Sequence, residues 1–285
     1  MVKFLIRFCV FFLCSFSAFA NTFVFTAIPD EDETRLKERF QKVADYLQGQ
    51  LGVSVSYVPV KSYAAAIAAF RNNQVQLAWF GGLSGVRARE YVPGSVALAQ
   101  GVEDEAFVTY FIAHTSTGIS PSETFPKAMK GKTFTFGSKG STSGRLMPEY
   151  YIRQNFGDSP ENIFSRVGFS GDHSKTIALV ASGAYEVGAV NYAVWDTELA
   201  EGKFDEKQVK VIWKTPSYPD YQWTIRGDAD QQFGSGFTAK VKNALLEMKD
   251  EALLQSFPRS GFIPASNEDY APILKVGKEI GLLDE

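Results

Sequence analysis

Strand-like and helix-like patterns alternate along the chain. Residues 22–28 form a continuous apolar and β-branched run. After an acidic turn at residues 29–33, Leu36, Phe40, Val43, Leu47 and Leu51 recur at spacings of four and three, the stripe of an amphipathic helix. A strand is predicted at 53–60, and Ser62 then caps a short Ala-rich helix that ends at Asn72-Asn73. Residues 75–80 read as another strand, breaking at Gly81-Gly82 into a further helix. Repeated βαβ units imply a mostly parallel sheet with helices on both faces and right-handed connections.

A polar, Pro-containing stretch at 114–121 reads as a crossover into a second unit of the same kind. That unit has predicted strands at 132–137, 165–170, 187–191 and 208–213, with helices from Ser143, at 172–182 and after Asn191. Residues 215–220 supply a second Pro-rich crossover, and from Tyr221 the chain adds a strand and C-terminal helices. The predicted architecture is α/β with two lobes: residues 21–115 and 218–285 form lobe I, and 116–217 form lobe II. Two lobes joined by two crossovers enclose a cleft that closes by hinge motion.

The first twenty residues do not belong to this pattern. Lys3 and Arg7 precede an apolar run at 8–16, and Ala18-Phe19-Ala20 has the small-residue spacing of a cleavage site, so an export signal is predicted with cleavage after Ala20. Both cysteines, Cys9 and Cys14, lie in that segment, which leaves the exported chain without thiol or disulfide chemistry. Losing Lys3 and Arg7 takes the formal charge from −3 to −5. No basic stripe supports nucleic-acid binding, and an anion would need local donors because the net field repels it.

Those local donors fall at strand-to-helix turns, where open α/β sheets bind ligands. The stretch 133–144, TFTFGSKGSTSG, runs from a strand through Ser141, Thr142 and Ser143 into a helix, so three hydroxyls sit beside unpaired helix N–H groups. Gly81 and Gly82 occupy a second such turn, Tyr63 begins the helix after Ser62, and His173 lies in the first turn after Ser170-Gly171-Asp172. Each has a plainer alternative: Ser and Thr are common N-caps, His173 can be a polar cap, and Asp220 after Pro219 suits a turn.

The segments KSYAAAIAAFRNNQVQLAWFGGLSG, GSTSGRLMP, FSGDHSKTIALVASGAYEVGAVNY and TPSYPDYQW resemble the phosphate/phosphite/phosphonate substrate-binding proteins of ABC transporters, closest to the branch usually labelled selenate-binding. The resemblance implies a two-lobed fold like that of type II periplasmic binding proteins. It implies a monomer that carries a small tetrahedral oxyanion to ABC permease subunits, with no cofactor, no metal and no catalysis. It places the oxyanion on Tyr63, Ser141, Thr142, Ser143 and His173; Gly81 and Gly82, from their turn, and Asn191 and Asp220 are further candidates for lining the cleft. Family members that bind aminoalkylphosphonates hold the amine with acidic residues after the strand that here ends at Asn191 and in the second crossover. Here residues 191–195 read NYAVW, and only the crossover carboxylate, Asp220, is kept.

Two other functions use the same residues. A presenter of ligand to a membrane sensor kinase would share the fold. A secreted hydrolase could draw on Ser143, His173 and Asp220, although Gly82-Leu83-Ser84-Gly85-Val86 and Gly168-Phe169-Ser170-Gly171-Asp172 both miss the G-x-S-x-G spacing.

Overall fold

A computed structural model describes residues 21–283; the export signal expected at 1–20, with its cysteines and cleavage site, lies outside the described residues. The chain runs through β1 (Phe23–Ala27), α1 (Glu33–Leu51), β2 (Val55–Tyr57), α2 (Tyr63–Arg71), β3 (Leu77–Phe80), α3 (Gly82–Tyr91) and β4 (Val96–Gly101). It then crosses to β5 (Thr109–His114), β6 (Thr133–Phe136), α4 (Met147–Phe156), α5 (Pro160–Ile163), β7 (Arg166–Phe169), α6 (His173–Ala181), β8 (Val187–Asn191), α7 (Tyr192–Ala200) and β9 (Val209–Lys214). It returns through β10 (Gln222–Ile225), α8 (Ala229–Phe233), α9 (Phe237–Leu246), α10 (Glu251–Ser256), β11 (Phe262–Pro264) and α11 (Ala271–Glu279).

The strands form two sheets, ordered β11-β4-β10-β3-β1-β2 and β7-β6-β8-β5-β9, one in each lobe. Neither sheet is mostly parallel. β1 runs parallel to β2 and β3, and β6 to β7 and β8, but the pairs made by β4, β5, β9, β10 and β11 are antiparallel. The crossings cause this. β5 and β10 enter their sheets directly from the other lobe, without the helical crossover that parallel neighbours need.

The first crossing also lies elsewhere than residues 114–121. β5 pairs with β8 and β9, so a boundary at 115/116 puts a lobe II strand in lobe I; the chain crosses at residues 102–108. Residues 114–121 instead begin the β5–β6 connection. The return crossing occupies residues 215–221, between β9 and β10.

The α1 stripe is buried along its length, from Leu36 to Leu51. Asp32 caps the helix start by accepting the Thr34 and Arg35 N–H groups, and Gly52 closes its end at φ 68°. The stripe packs into a core in which Phe25, Phe40, Trp79, Trp223 and Phe257 meet edge-on or tilted at 5.2–6.2 Å. In lobe II the sheet is covered on both faces. Phe111, Phe134 and Ile212 belong to one core, and Tyr110, Ile112, Ile177 and Trp195 to the other.

The crossings are fastened to each other. Phe107 and Tyr218 exchange backbone hydrogen bonds of 2.9 and 3.0 Å, and the Asp220 N–H donates to the Asp104 carbonyl at 3.0 Å. Buried Asp104 is gripped in turn by Nη2 and Nε of the Arg259 guanidinium at 2.7 and 2.8 Å. Across the cleft, Arg35 of lobe I pairs with Glu201 of lobe II at 2.6 Å, and Gln154 of lobe II donates to Glu279 of lobe I at 3.1 Å.

Candidate ligand-binding site

The turn after β6 is the centre of the site. Ser141 accepts the Gly144 N–H at 2.9 Å, and its carbonyl accepts from the Leu146 N–H, five residues on, at 3.0 Å. The helix therefore starts as a wide π-type turn, Thr142–Leu146, before tightening into α4. Thr109 holds this turn from β5 by donating to the Ser143 carbonyl at 2.9 Å. Ser141, Thr142 and Ser143 are all within 2 % of full burial.

From lobe I, the N-terminus of α3 meets this turn. The Leu83 N–H donates to Thr142 Oγ1 at 3.0 Å, and the Gly82 N–H to Asp220 Oδ1 at 2.9 Å. Gly81 and Gly82 permit that approach. A Cβ at Gly81 would lie 3.1 Å from Asp220 Oδ1 and 3.3 Å from Thr142 Oγ1, and one at Gly82 would lie 3.2 Å from the Pro219 carbonyl. Asp220 is thus a buried member of this cluster, beyond any role in its turn.

His173 enters from α6, whose N-cap Asp172 accepts the Lys175 N–H at 2.8 Å. Its own N–H reaches across the cleft to the Asp30 carbonyl at 2.8 Å. The ring is fully buried, and burial lowers its pKa to about 3. Nδ1 accepts the Asn191 N–H at 3.3 Å, so the proton of the neutral ring sits on Nε2, which lies 3.5 Å from Ser143 Oγ. An imidazolium donor is thereby excluded at neutral pH. In a His114→Gln variant, long-range 1H–15N spectra are expected to show a single neutral, Nε2-protonated ring from pH 5 to 9. A titration inside that window would contradict the buried geometry.

Asn191 ends β8 and caps α7 with its side-chain oxygen, while its Nδ2 donates to the Tyr221 hydroxyl at 2.9 Å. The site thus contains all nine residues singled out in the sequence, Tyr63, Gly81, Gly82, Ser141, Thr142, Ser143, His173, Asn191 and Asp220. It also contains Asp30, which sequence reasoning missed, and Tyr221, one of the aromatic residues around the second crossover that suggest a tight pocket. Asp30 follows β1, at the strand end where α/β sheets place ligand groups, but its acidic neighbours made it read as a solvated turn.

Three buried polar atoms here have no hydrogen-bond partner within the protein: Asp30 Oδ1, the Tyr63 hydroxyl and Asp220 Oδ2. Burial raises the Asp220 pKa to about 7, against the pull of the Gly82 N–H. Burial, reinforced by Glu31, also holds Asp30 well above the usual carboxylate range, opposed by Arg39 and the Tyr221 hydroxyl. Burial keeps the phenols of Tyr63 and Tyr221 protonated and available as donors. The arrangement offers hydroxyl, imidazole and amide donors together with two carboxyl groups that resist losing their protons. Among the described residues no group of three His, Cys, Asp or Glu side chains is placed to hold a metal ion.

A family model for the periplasmic substrate-binding protein of phosphonate ABC transporters matches residues 25–270. A probable ABC transporter phosphite-binding protein, PhnD1 of Prochlorococcus marinus (strain MIT 9301), is 38% identical over 261 residues, covering 89% of this chain and 88% of its own. The solved structure of PhnD1 from that organism in complex with methylphosphonate superposes with a TM-score of 0.87 at 37% identity, covering 92% of this chain and 98% of that one. The phosphonates-binding periplasmic protein of Escherichia coli (strain K12) is 30% identical over 198 residues, 68% of this chain and 58% of its own. The chain belongs to the family of periplasmic phosphonate-type substrate-binding proteins of ABC transporters, and is a carrier of solute rather than an enzyme.

Proposed function

We propose that this protein captures a small tetrahedral oxyanion that still carries an exchangeable proton, of the phosphite and short alkylphosphonate class, and delivers it as a monomer to an ABC permease. The carrying observation is Asp220: a buried carboxyl with one oxygen free and a pKa raised to about 7, beside the Ser141–Ser143 turn. Near neutral pH a proton shared between Asp220 and a P–OH oxygen makes a short charge-assisted hydrogen bond in either assignment. A dianion that carries no proton must meet an already protonated Asp220 or be repelled. The Ser141, Thr142, Ser143, Tyr63 and His173 donors supply the remaining contacts, and Asn191, with Gly81 and Gly82, shapes the walls. The names of the relatives support this class of ligand, and family membership supports delivery to a permease over presentation to a sensor kinase.

The test is a melting series with phosphite, methylphosphonate, phosphate, aminoethylphosphonate, sulfate and selenate, followed by calorimetry on those that stabilise. At a thousandfold excess over Kd a ligand contributes about 4 kcal/mol, roughly 10 °C in a chain of this size. Phosphite or methylphosphonate is expected to give the largest shift. Equal or greater stabilisation by sulfate or selenate would overturn the reading, and a dominant response to aminoethylphosphonate would assign Asp30 and Asp220 to an ammonium group instead.

A further inference from the structure

Two of the grooves that bridge the lobes beside the site carry opposite charge. One, of about 410 Å3, touches the site through residues flanking Asp30 and His173, and is lined by Glu31, Asp32, Glu33 and Asp172 against Lys61 and Lys175. Both lysines are already paired there, Lys61 with Glu33 at 2.9 Å and Lys175 with Asp172 at 2.7 Å. The other groove, of about 370 Å3, adjoins the site through Ala64, next to Tyr63, and Lys139, two residues before Ser141. Its charged lining is Arg71 and Arg87 from lobe I with Lys139 and Arg145 from lobe II, and no carboxylate lines it.

Two cations of this second groove, Arg71 and Lys139, are held towards solvent rather than neutralised in place. Lys139 and Arg145 share the half-exposed Phe169 ring, each 5.2 Å from its centre, and Arg71 lies 5.5 Å over the exposed Tyr91 ring. Arg145 is also paired with Glu149 at 3.3 Å, whereas Arg71 and Lys139 are in no ion pair among the described residues. Stacking on a ring anchors a cation without cancelling its field. In a chain of net charge −3, a cluster of this kind is a local reversal of sign at the edge of an anion site.

We propose that the groove formed by α2, α3 and the Lys139–Arg145 turn is an anion-collecting vestibule, which docks oxyanions weakly through Arg71 and Lys139 and passes them to the site from this side. This rests on the oxyanion reading of the site. The vestibule acts on the rate of capture, because its cations lie outside the ring of groups that hold the ligand, so dissociation from the closed protein is left unchanged.

The test is stopped-flow binding of methylphosphonate to the full exported chain at low and high NaCl. The Arg71→Gln/Lys139→Gln variant is compared with Lys207→Gln/Lys210→Gln, which removes the same charge far from the groove. The vestibule variant is expected to associate about tenfold more slowly at low salt, with a flattened salt dependence and a dissociation rate within about twofold of the parent. Equal association rates for the parent and the vestibule variant, or an equal loss in the control variant, would overturn the proposal. If the parent shows no methylphosphonate transient, the ligand reading fails by itself. The vestibule is then decided by NMR titration with methylphosphonate: saturable millimolar shifts of the Arg71 and Lys139 amides, absent in the double variant, support it, and no shifts refute it.

Discussion

Replacing Thr142 with valine is expected to weaken phosphite binding by two to three orders of magnitude, while Thr142→Ser keeps most of the affinity. Valine matches the shape of threonine, so packing is conserved and the loss isolates the hydroxyl. That hydroxyl has two tasks in the closed protein. Its oxygen accepts the Leu83 N–H from the start of α3 in the opposite lobe, and its hydrogen remains for Asp220 or the ligand. Losing one charge-assisted hydrogen bond removes about 1.5–3 kcal/mol, and a buried N–H left unpaired on closure costs about 1–3 kcal/mol more. Together these make about 2.5–6 kcal/mol; the expected two to three orders of magnitude lie in the lower half of that range, and calorimetry on wild type, Thr142→Val and Thr142→Ser would register them directly. Retention of affinity within about threefold in Thr142→Val would show that the turn caps its helix and does not read the ligand.

A second large effect is expected from Asp220→Asn, as a change of preference more than a loss of binding. Asparagine can still accept the Gly82 N–H, so the backbone of the turn keeps its anchor. It offers an NH2 where Asp220 Oδ2 stood, a donor in place of an acceptor. Phosphite and methylphosphonate should weaken by about ten- to a hundredfold and sulfate and selenate should gain, on the scale of one hydrogen bond to a charged group. The pH dependence follows from the raised pKa of about 7. Below that value wild-type Asp220 holds a proton and can donate to sulfate; above it the carboxylate repels, so sulfate affinity should fall towards tenfold per pH unit. In Asp220→Asn that dependence disappears. Dissociation constants for sulfate and phosphite at pH 6, 7 and 8 test both statements, and an unchanged phosphite-to-sulfate ratio would remove Asp220 from ligand discrimination.

Local order was readable where one stretch of chain decides it. The stripe from Leu36 to Leu51 reports a helix with one buried face, and the SerThrSer turn and Asp172-His173 mark helix starts by their capping chemistry. The first crossing was not readable in that way. Residues 102–108, VEDEAFV, carry no proline or glycine, and the order there comes from Tyr218, more than a hundred residues away. β5 hides for a related reason: Tyr110 and Ile112 face one core while Phe111 faces the other, so no polar alternation betrays the strand. Strand direction in the mixed sheets depends on which end a returning segment enters, and no local period encodes it. Asp30 was overlooked because its burial depends on His173 and Tyr221 arriving from distant parts of the chain.

The fastening of the two crossings gives Asp220 a mechanical role as well. It lies on the segment that joins the lobes, tied through its own amide to Asp104 and, two residues back, through Tyr218 to Phe107. Tyr221, next in the chain, meets Asn191 of lobe II. A force applied by a ligand at this place acts at the fulcrum, and the lobes are its arms. On the proposed reading, a slight difference in how an oxyanion seats against Asp220 would be magnified at the outer tips of the lobes. A poorly matched anion could occupy the cleft and still leave those tips in the wrong relative position, so that discrimination continues after binding, in the shape offered for docking.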